Sequence, residues 1–89
     1  MRIVKIGAIW CGACLIMNKV WNRLKEDYVF DAIELDYDMD EEEVEKYAPG
    51  KVLPVFILFD GDQEIERLCG EFSYEDMSQK IEENGGSKK

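Results

Sequence analysis

The beginning of the chain changes from a strand pattern to a helix pattern, and two cysteines lie at the change. Residues 2–9, Arg-Ile-Val-Lys-Ile-Gly-Ala-Ile, form a run of strand length that is rich in β-branched residues. From Cys11 onward, apolar residues recur every three or four positions, which predicts an amphipathic helix over residues 11–27. Cys11 and Cys14 are therefore expected in the first turn of a helix that directly follows a strand.

The remaining chain continues this alternation of strands and helices. The patterns predict a strand over 29–37 and then a short helix over 40–47, which Pro49-Gly50 ends. They further predict a hairpin, with strands 54–59 and 63–70 on either side of an Asp-Gly turn, and a final helix over 73–84. The order β-α-β-α-β-β-α indicates one α/β domain over residues 1–83, with a four-stranded mixed sheet, helices on both faces and the first two strands parallel. Residues 84–89 have nothing to bury and are expected to form a flexible tail.

Length and charge narrow the possible functions. A chain of 89 residues suits one small domain, and a net charge of −9 argues against nucleic acid or an anionic membrane surface as a partner. No apolar run approaches the roughly 18 to 20 residues of a membrane span. The odd number of cysteines and the lack of a secretory signal pattern favour the reducing cytoplasm. The acidic segment 34–45 is either a solvated surface or a docking face for a basic protein.

The pair Cys11 and Cys14 could bind a metal, form a structural staple or act as a redox couple. A zinc site needs about four ligands, and the chain offers only one other cysteine and no histidine. A disulfide across two residues closes too small a loop to stabilise the fold much. At a helix N-terminus, by contrast, free N–H groups stabilise a thiolate at Cys11 while Cys14 lies one turn away. The redox couple, with Cys11 exposed and attacking and Cys14 more buried and resolving, is therefore favoured, although a metal-binding domain remains an alternative.

Three short motifs at corresponding places resemble the thioredoxin family. They are Trp-Cys-Gly-Ala-Cys at the strand-to-helix corner (10–14), Val-Leu-Pro opening the third strand (52–54) and Cys-Gly ending the fourth (69–70). The resemblance implies a minimal thioredoxin-like fold, a thiol–disulfide oxidoreductase that reduces protein disulfides, and a cis Leu53–Pro54 bond beside the dithiol. It also implies a substrate-binding surface that consists of Trp10, Gly12, Ala13, Leu53, Pro54 and Gly70. No cofactor beyond the Cys11–Cys14 disulfide, and no metal, is expected.

The departures from the family pattern affect the redox partner. Ala13 stands where thioredoxins usually have proline, and the Cys-Pro-Tyr-Cys motif of glutaredoxins is lacking. We therefore expect a protein reductase, rather than glutathione, to reduce the Cys11–Cys14 disulfide. The protein is expected to be a monomer. A glutathione-linked, glutaredoxin-like reductase and a non-catalytic binding module of the same fold are the alternatives.

Four further residues receive a prediction. Trp21 faces the apolar stripe of the first helix and is predicted to lie in the core, and Cys69 is predicted to be a small core residue rather than a third redox sulfur. The resemblance puts Lys5 where thioredoxins have a buried aspartate beneath the resolving cysteine, and Glu34 where they have its lysine partner. We predict that Lys5 and Glu34 approach one another and that Lys5 favours a Cys14 thiolate; otherwise Lys5 reaches the sheet edge and Glu34 faces solvent.

Overall fold

A four-stranded mixed sheet forms the centre of the computed structural model, which describes residues 1–89. The elements are β1 (Arg2–Gly7), α1 (Gly12–Asp27), β2 (Tyr28–Val29), β3 (Asp31–Asp36), α2 (Glu41–Tyr47), β4 (Val55–Asp60), β5 (Gln63–Cys69), α3 (Tyr74–Glu83) and β6 (Ser87–Lys88). The sheet order is β3-β1-β4-β5, with β1 parallel to β3 and antiparallel to β4. The predicted α/β architecture is therefore confirmed.

The apolar alternation of the central strands divides the core between the two faces of the sheet. On one face Ile3 and Phe56 pack with residues of α1 and α3, and on the other Val4 and Ile57 pack with Val44 of α2. Successive side chains of a strand point to opposite faces of the sheet. Because β4 is buried on both faces, its sequence is a continuous apolar run. This packing brings the beginning of α1 to the end of β1.

The predicted second strand is divided in the structure, and its first part pairs with the end of the chain. Tyr28 and Val29 form β2, which is antiparallel to Lys88 and Ser87 of β6. The backbone N–H of Lys89 also donates to the Asp27 carbonyl at 2.8 Å. The expectation of an unpaired tail therefore differs from the structure, because backbone hydrogen bonds hold this segment and need no apolar side chain.

Two buried-core predictions have opposite outcomes. Trp21 is 1 % exposed and lies against the rings of Phe30 and Phe56 at centroid distances of 5.5 and 5.6 Å, so its core position is confirmed. Cys69 is exposed, so its predicted core position is wrong. Leu68 takes the inward position of the edge strand β5, and the alternation then turns Cys69 outward. No helix combines the length and apolar character needed to cross a membrane.

Candidate active site

The strand-to-helix corner places Cys11 as the N-cap of α1. Its backbone is extended, with φ −92° and ψ 112°, and its N–H donates to the Ala8 carbonyl at 3.2 Å. The Cys11 Sγ accepts a hydrogen bond from the backbone N–H of Cys14 at 3.2 Å. A side chain that accepts from the third residue of the helix is the usual N-cap arrangement, and here a sulfur takes the role of the capping oxygen. Any negative charge on this sulfur would face the positive end of the helix dipole.

Both sulfurs of the pair are free thiols, and both are largely covered by protein. Cys11 is 9 % exposed and Cys14 is 4 % exposed. The prediction of an exposed Cys11 is thus wrong in degree, although Cys11 is the more accessible of the two. The loop before β4 provides the cover, because the Cys11 thiol lies 3.7 Å from the Leu53 carbonyl oxygen and donates to it.

Cys14 lies beneath this corner in an environment that disfavours its thiolate. Burial, together with a hydrogen bond to the Cys11 side chain, raises the pKa of Cys14 from 9.0 to about 11, whereas the nearby Lys5 charge acts in the opposite direction. Gly7 provides the space for the sulfur, since a Cβ at that position would be only 3.3 Å from Cys14 Sγ. Cys14 is therefore held as a protonated thiol at neutral pH.

The loop that covers Cys11 meets the end of β5. The Leu53–Pro54 peptide bond is cis, and the Pro54 carbonyl accepts a hydrogen bond from the Gly70 N–H at 2.8 Å. Gly70 has φ 95°, a conformation that favours glycine, and a Cβ there would lie 3.7 Å from a methyl group of Val52. The structure thus brings the two motifs at 52–54 and 69–70 together beside the dithiol.

Large apolar side chains remain exposed around the pair. We call them the apolar rim, and they are Ile9, Trp10, Leu15, Ile16 and Val52. Trp10 is 64 % exposed, yet its indole N–H donates to Asp38 Oδ2 at 2.6 Å and its ring contacts Tyr37 edge-on. Exposed apolar groups concentrated at one place mark a contact surface. Sequence reasoning assigned only Trp10 of this set to the substrate-binding surface, although the others lie within two residues of a cysteine or next to Leu53 in the chain.

Gly12 and Ala13 lie between the two cysteines in the first turn of α1. Gly12 is exposed, and a Cβ there would meet no atom within 4 Å. Ala13 is half-buried and packs against the same core cluster as the two cysteines. Of these two residues, Gly12 is therefore the one that presents an open surface next to Cys11.

Lys5 and Glu34 have the predicted register, but they do not form an ion pair. They are direct neighbours on the parallel strands β1 and β3. Glu34, however, accepts hydrogen bonds from Trp21 Nε1 at 3.0 Å and from Lys25 Nζ at 3.3 Å, and Lys5 Nζ donates to Asn18 Oδ1 at 2.7 Å. No salt bridge joins Lys5 and Glu34, because α1 crosses this face of the sheet and supplies a hydrogen-bond partner to each side chain.

Burial also affects Lys5 itself. It lowers the pKa of the Lys5 ammonium, while the charges of Glu34 and Cys14 oppose that effect. Asn18, which sequence reasoning missed, lies one turn beyond Cys14 on α1.

No group of three or more histidine, cysteine or carboxylate side chains in the structure is arranged to hold a metal ion.

Comparisons with known proteins agree with this geometry. The thioredoxin family model matches residues 1–83. A thioredoxin from Chlorobaculum thiosulfatiphilum is 26 % identical over 85 residues, covering 94 % of this chain and 79 % of that protein. The reduced thioredoxin pre-protein of Schistosoma mansoni superposes with a TM-score of 0.82 at 26 % identity, covering 92 % of this chain and 76 % of that one.

A third comparison agrees in fold. The structure of a complex between ferredoxin:thioredoxin reductase and thioredoxin f2 contains a chain that matches with a TM-score of 0.79 at 23 % identity, covering 93 % of this chain and 76 % of that one. The family match spans the corner, the cis-proline loop and the sheet that positions them. With its two neighbouring cysteines at the strand-to-helix corner, the chain belongs to the thioredoxin family of disulfide oxidoreductases.

Proposed function

We propose that the protein reduces disulfide bonds of other proteins, with Cys11 as the attacking thiol and Cys14 as the resolving thiol. The observation that carries this order of events is the asymmetry of the two sulfurs. Cys11 Sγ accepts a helix N–H and is the more accessible sulfur, whereas burial raises the pKa of Cys14 to about 11. The thiolate is the nucleophile in disulfide exchange, so the helix-capping sulfur reacts first.

The reaction proceeds in two exchanges. The Cys11 thiolate attacks one sulfur of the substrate disulfide, forms a mixed disulfide and releases the other substrate sulfur as a thiolate, which takes up a proton. Cys14 then loses its proton and attacks Cys11 Sγ. The Cys11–Cys14 disulfide forms, the mixed disulfide breaks and the second substrate sulfur leaves. In total, two electrons and two protons pass from the dithiol to the substrate.

The surface around Cys11 is suited to bind a polypeptide. The apolar rim offers side-chain contacts, and Gly12 and Gly70 leave room for a substrate backbone to approach. We assign substrate binding to Trp10, Gly12, Ala13, Leu53, Pro54 and Gly70. Leu53 and Pro54 form the loop that covers Cys11, so this loop must make room when the mixed disulfide forms.

A protein reductase is the proposed electron donor. The solved complex of ferredoxin:thioredoxin reductase with thioredoxin f2 provides a precedent in a chain of the same fold. The chain also lacks the Cys-Pro-Tyr-Cys motif of glutaredoxins, which favours a protein donor over glutathione. We further propose that the protein acts as a monomer in the cytoplasm, where the reduced dithiol persists.

Lys5 is proposed to tune Cys14. Its side chain is half-buried near the resolving sulfur, and its charge opposes the effect of burial on the pKa of Cys14. Glu34 contributes indirectly, because its carboxylate accepts hydrogen bonds from Trp21 and Lys25 and forms no ion pair with Lys5.

Reduction of insulin disulfides tests the proposed function. The wild type should turn over insulin with a chemical reductant, Cys11→Ser should be inactive, and Cys14→Ser should stop at a mixed disulfide that gel electrophoresis detects. Cys69→Ser is the matched control and should keep the wild-type rate, because Cys69 is exposed and unpaired. An intact dithiol that fails to reduce any protein disulfide would instead indicate a binding module.

A further inference from the structure

A cavity of about 300 Å³ opens beside Cys14, and Lys5 extends into the same space. Its polar lining consists of Lys5, Cys14, Asn18, Glu34, Asp36 and Asp40. The position of a Cβ on Gly7 would be 3.3 Å from Cys14 Sγ and 4.0 Å from Lys5 Cε, so the sulfur and the end of the lysine side chain both lie close to Gly7. Within the structure, Lys5 is the cationic residue that lines this cavity.

The carboxylates of the cavity already have donors of their own. Glu34 binds Trp21 and Lys25, as described above. Asp36 Oδ1 accepts from the backbone N–H groups of residues 38 and 39, both at 2.9 Å, and Asp40 Oδ2 accepts from the backbone N–H of Asp36 at 2.8 Å. Lys5 forms a salt bridge with none of them, and its hydrogen-bond partner is the Asn18 side chain at 2.7 Å.

The neutrality of this partner has an electrostatic consequence. An amide oxygen fixes the direction of an ammonium group without cancelling its charge, whereas a carboxylate in the same place would form an ion pair. Lys5 therefore keeps a positive charge that can act on a neighbouring group that becomes negative during the reaction. Beside Gly7, that group is Cys14, whose charge and that of Glu34 both act on Lys5.

We propose that Asn18 is a positioning residue of the dithiol site, which holds the Lys5 ammonium towards Cys14 so that its charge stabilises the Cys14 thiolate in the resolving exchange. The inference rests on the proposed function for its role in turnover. In that exchange Cys14 gives its proton to solvent in the cavity, its sulfur bonds to Cys11 Sγ, and the substrate sulfur leaves as a thiolate. The Lys5 charge lowers the pKa of Cys14 against the larger effect of burial, which agrees with this geometry.

Reaction with an aromatic disulfide, 5,5′-dithiobis(2-nitrobenzoate), separates the two exchanges in time. Attack by Cys11 releases one coloured thiolate, and attack by Cys14 on the resulting mixed disulfide releases the second. The experiment uses the Cys69→Ser background, because the exposed third thiol would otherwise contribute a phase of its own. Below the pKa of Cys14, the rate constant of the second phase is proportional to the thiolate fraction and therefore reports changes in that pKa.

The informative variants remove or charge the acceptor. Asn18→Leu releases the ammonium and Asn18→Asp neutralises it with an ion pair, so each should slow the second phase about 3- to 10-fold at about pH 7, as a shift of roughly half to one pKa unit requires. The slowing should shrink as the pH approaches the pKa of Cys14. Asn18→Gln retains an amide oxygen and should restore part of the rate. The matched controls are Asn22→Leu and Asn22→Asp, one turn further along α1 at an exposed position, and neither should slow the second phase.

A double-mutant cycle with Lys5→Met excludes a merely structural role. If Asn18 acts through Lys5, Asn18→Leu should have no further effect in the Lys5→Met background. An equal loss in both backgrounds would overturn the inference, as would an Asn18→Leu second phase with the wild-type rate and pH profile. This assay requires no protein substrate, so it tests the role of Asn18 even if insulin reduction fails. If the protein reduces insulin but the Asn18→Leu second phase is unaltered, the positioning role is refuted and the proposed function stands.

Discussion

The burial of Cys14 predicts that the reduced protein loses stability at alkaline pH in a defined window. The pKa of Cys14 is raised from 9.0 to about 11 in the folded protein, chiefly by burial and then by the hydrogen bond to the Cys11 side chain. Between these values the unfolded chain has released the Cys14 proton and the folded chain still holds it. Because the folded state then binds more protons, the free energy of unfolding falls as the pH rises.

The size of the effect follows from the shift. Each pKa unit corresponds to about 1.4 kcal/mol, so a difference of about two units gives a loss of about 2–3 kcal/mol when the titration is complete. Below about pH 9 the contribution of Cys14 should be constant, and above about pH 11 no further loss should follow. A small domain has about 5–15 kcal/mol of stability in total, so this change is readily measured.

Urea unfolding of the reduced protein and of Cys14→Ala, at a series of pH values across this window, isolates the contribution. The difference between the two free energies should shrink by about 2–3 kcal/mol from about pH 9 to about pH 11, whereas other alkaline titrations cancel because they occur in both proteins. One such group is Tyr28, whose pKa the hydrogen bond to Glu82 raises. The oxidised wild type, in which Cys14 has no titrating thiol, should also lack this component.

A difference between wild type and Cys14→Ala that stays constant across the window would refute the reasoning. It would mean that the Cys14 thiolate is as stable in the folded protein as it is in the unfolded chain in water. A difference that grows with pH would be stronger evidence of the same kind, because it requires the folded protein to favour the thiolate.

Three further predictions concern single positions. Gly7→Ala should lower the free energy of unfolding by about 1 kcal/mol, because its Cβ would be 3.3 Å from Cys14 Sγ. Gly12→Ala, whose Cβ would have no atom within 4 Å, should raise that free energy by about 0.4–1 kcal/mol. Urea unfolding measures both variants, and equal effects would contradict the packing argument. Ser73→Ala should cost about 1 kcal/mol and lower the thermal midpoint, because the Ser73 Oγ caps α3 by accepting a backbone N–H at 3.1 Å. Cys69 should react with one equivalent of a thiol reagent in the native oxidised protein without denaturant, and protection of that thiol would show that it is buried in solution.

Local patterns in the sequence were enough to predict the order of the elements and the place of the dithiol. The change of period after residue 9 and the Asp-Gly turn are recognisable without knowledge of distant residues, because they express the geometry of one strand, one helix or one turn. The resemblance to the thioredoxin family then led to the pairing of Lys5 with Glu34 in register and to the position of Pro54. The structure has both in the expected places.

Only the tertiary structure decided which polar groups meet and which surfaces stay open. Lys5 binds Asn18 rather than Glu34 because α1 packs over β1 and β3, and the sequence does not reveal the distances across that packing. Cys69 is exposed because it takes the outward position beside the buried Leu68 on the edge strand β5. The tail pairs with β2 through backbone groups, which every residue type except proline carries alike, so composition could not predict it. Side-chain patterns report what an element can bury, whereas these contacts depend on where elements remote in the chain come to lie.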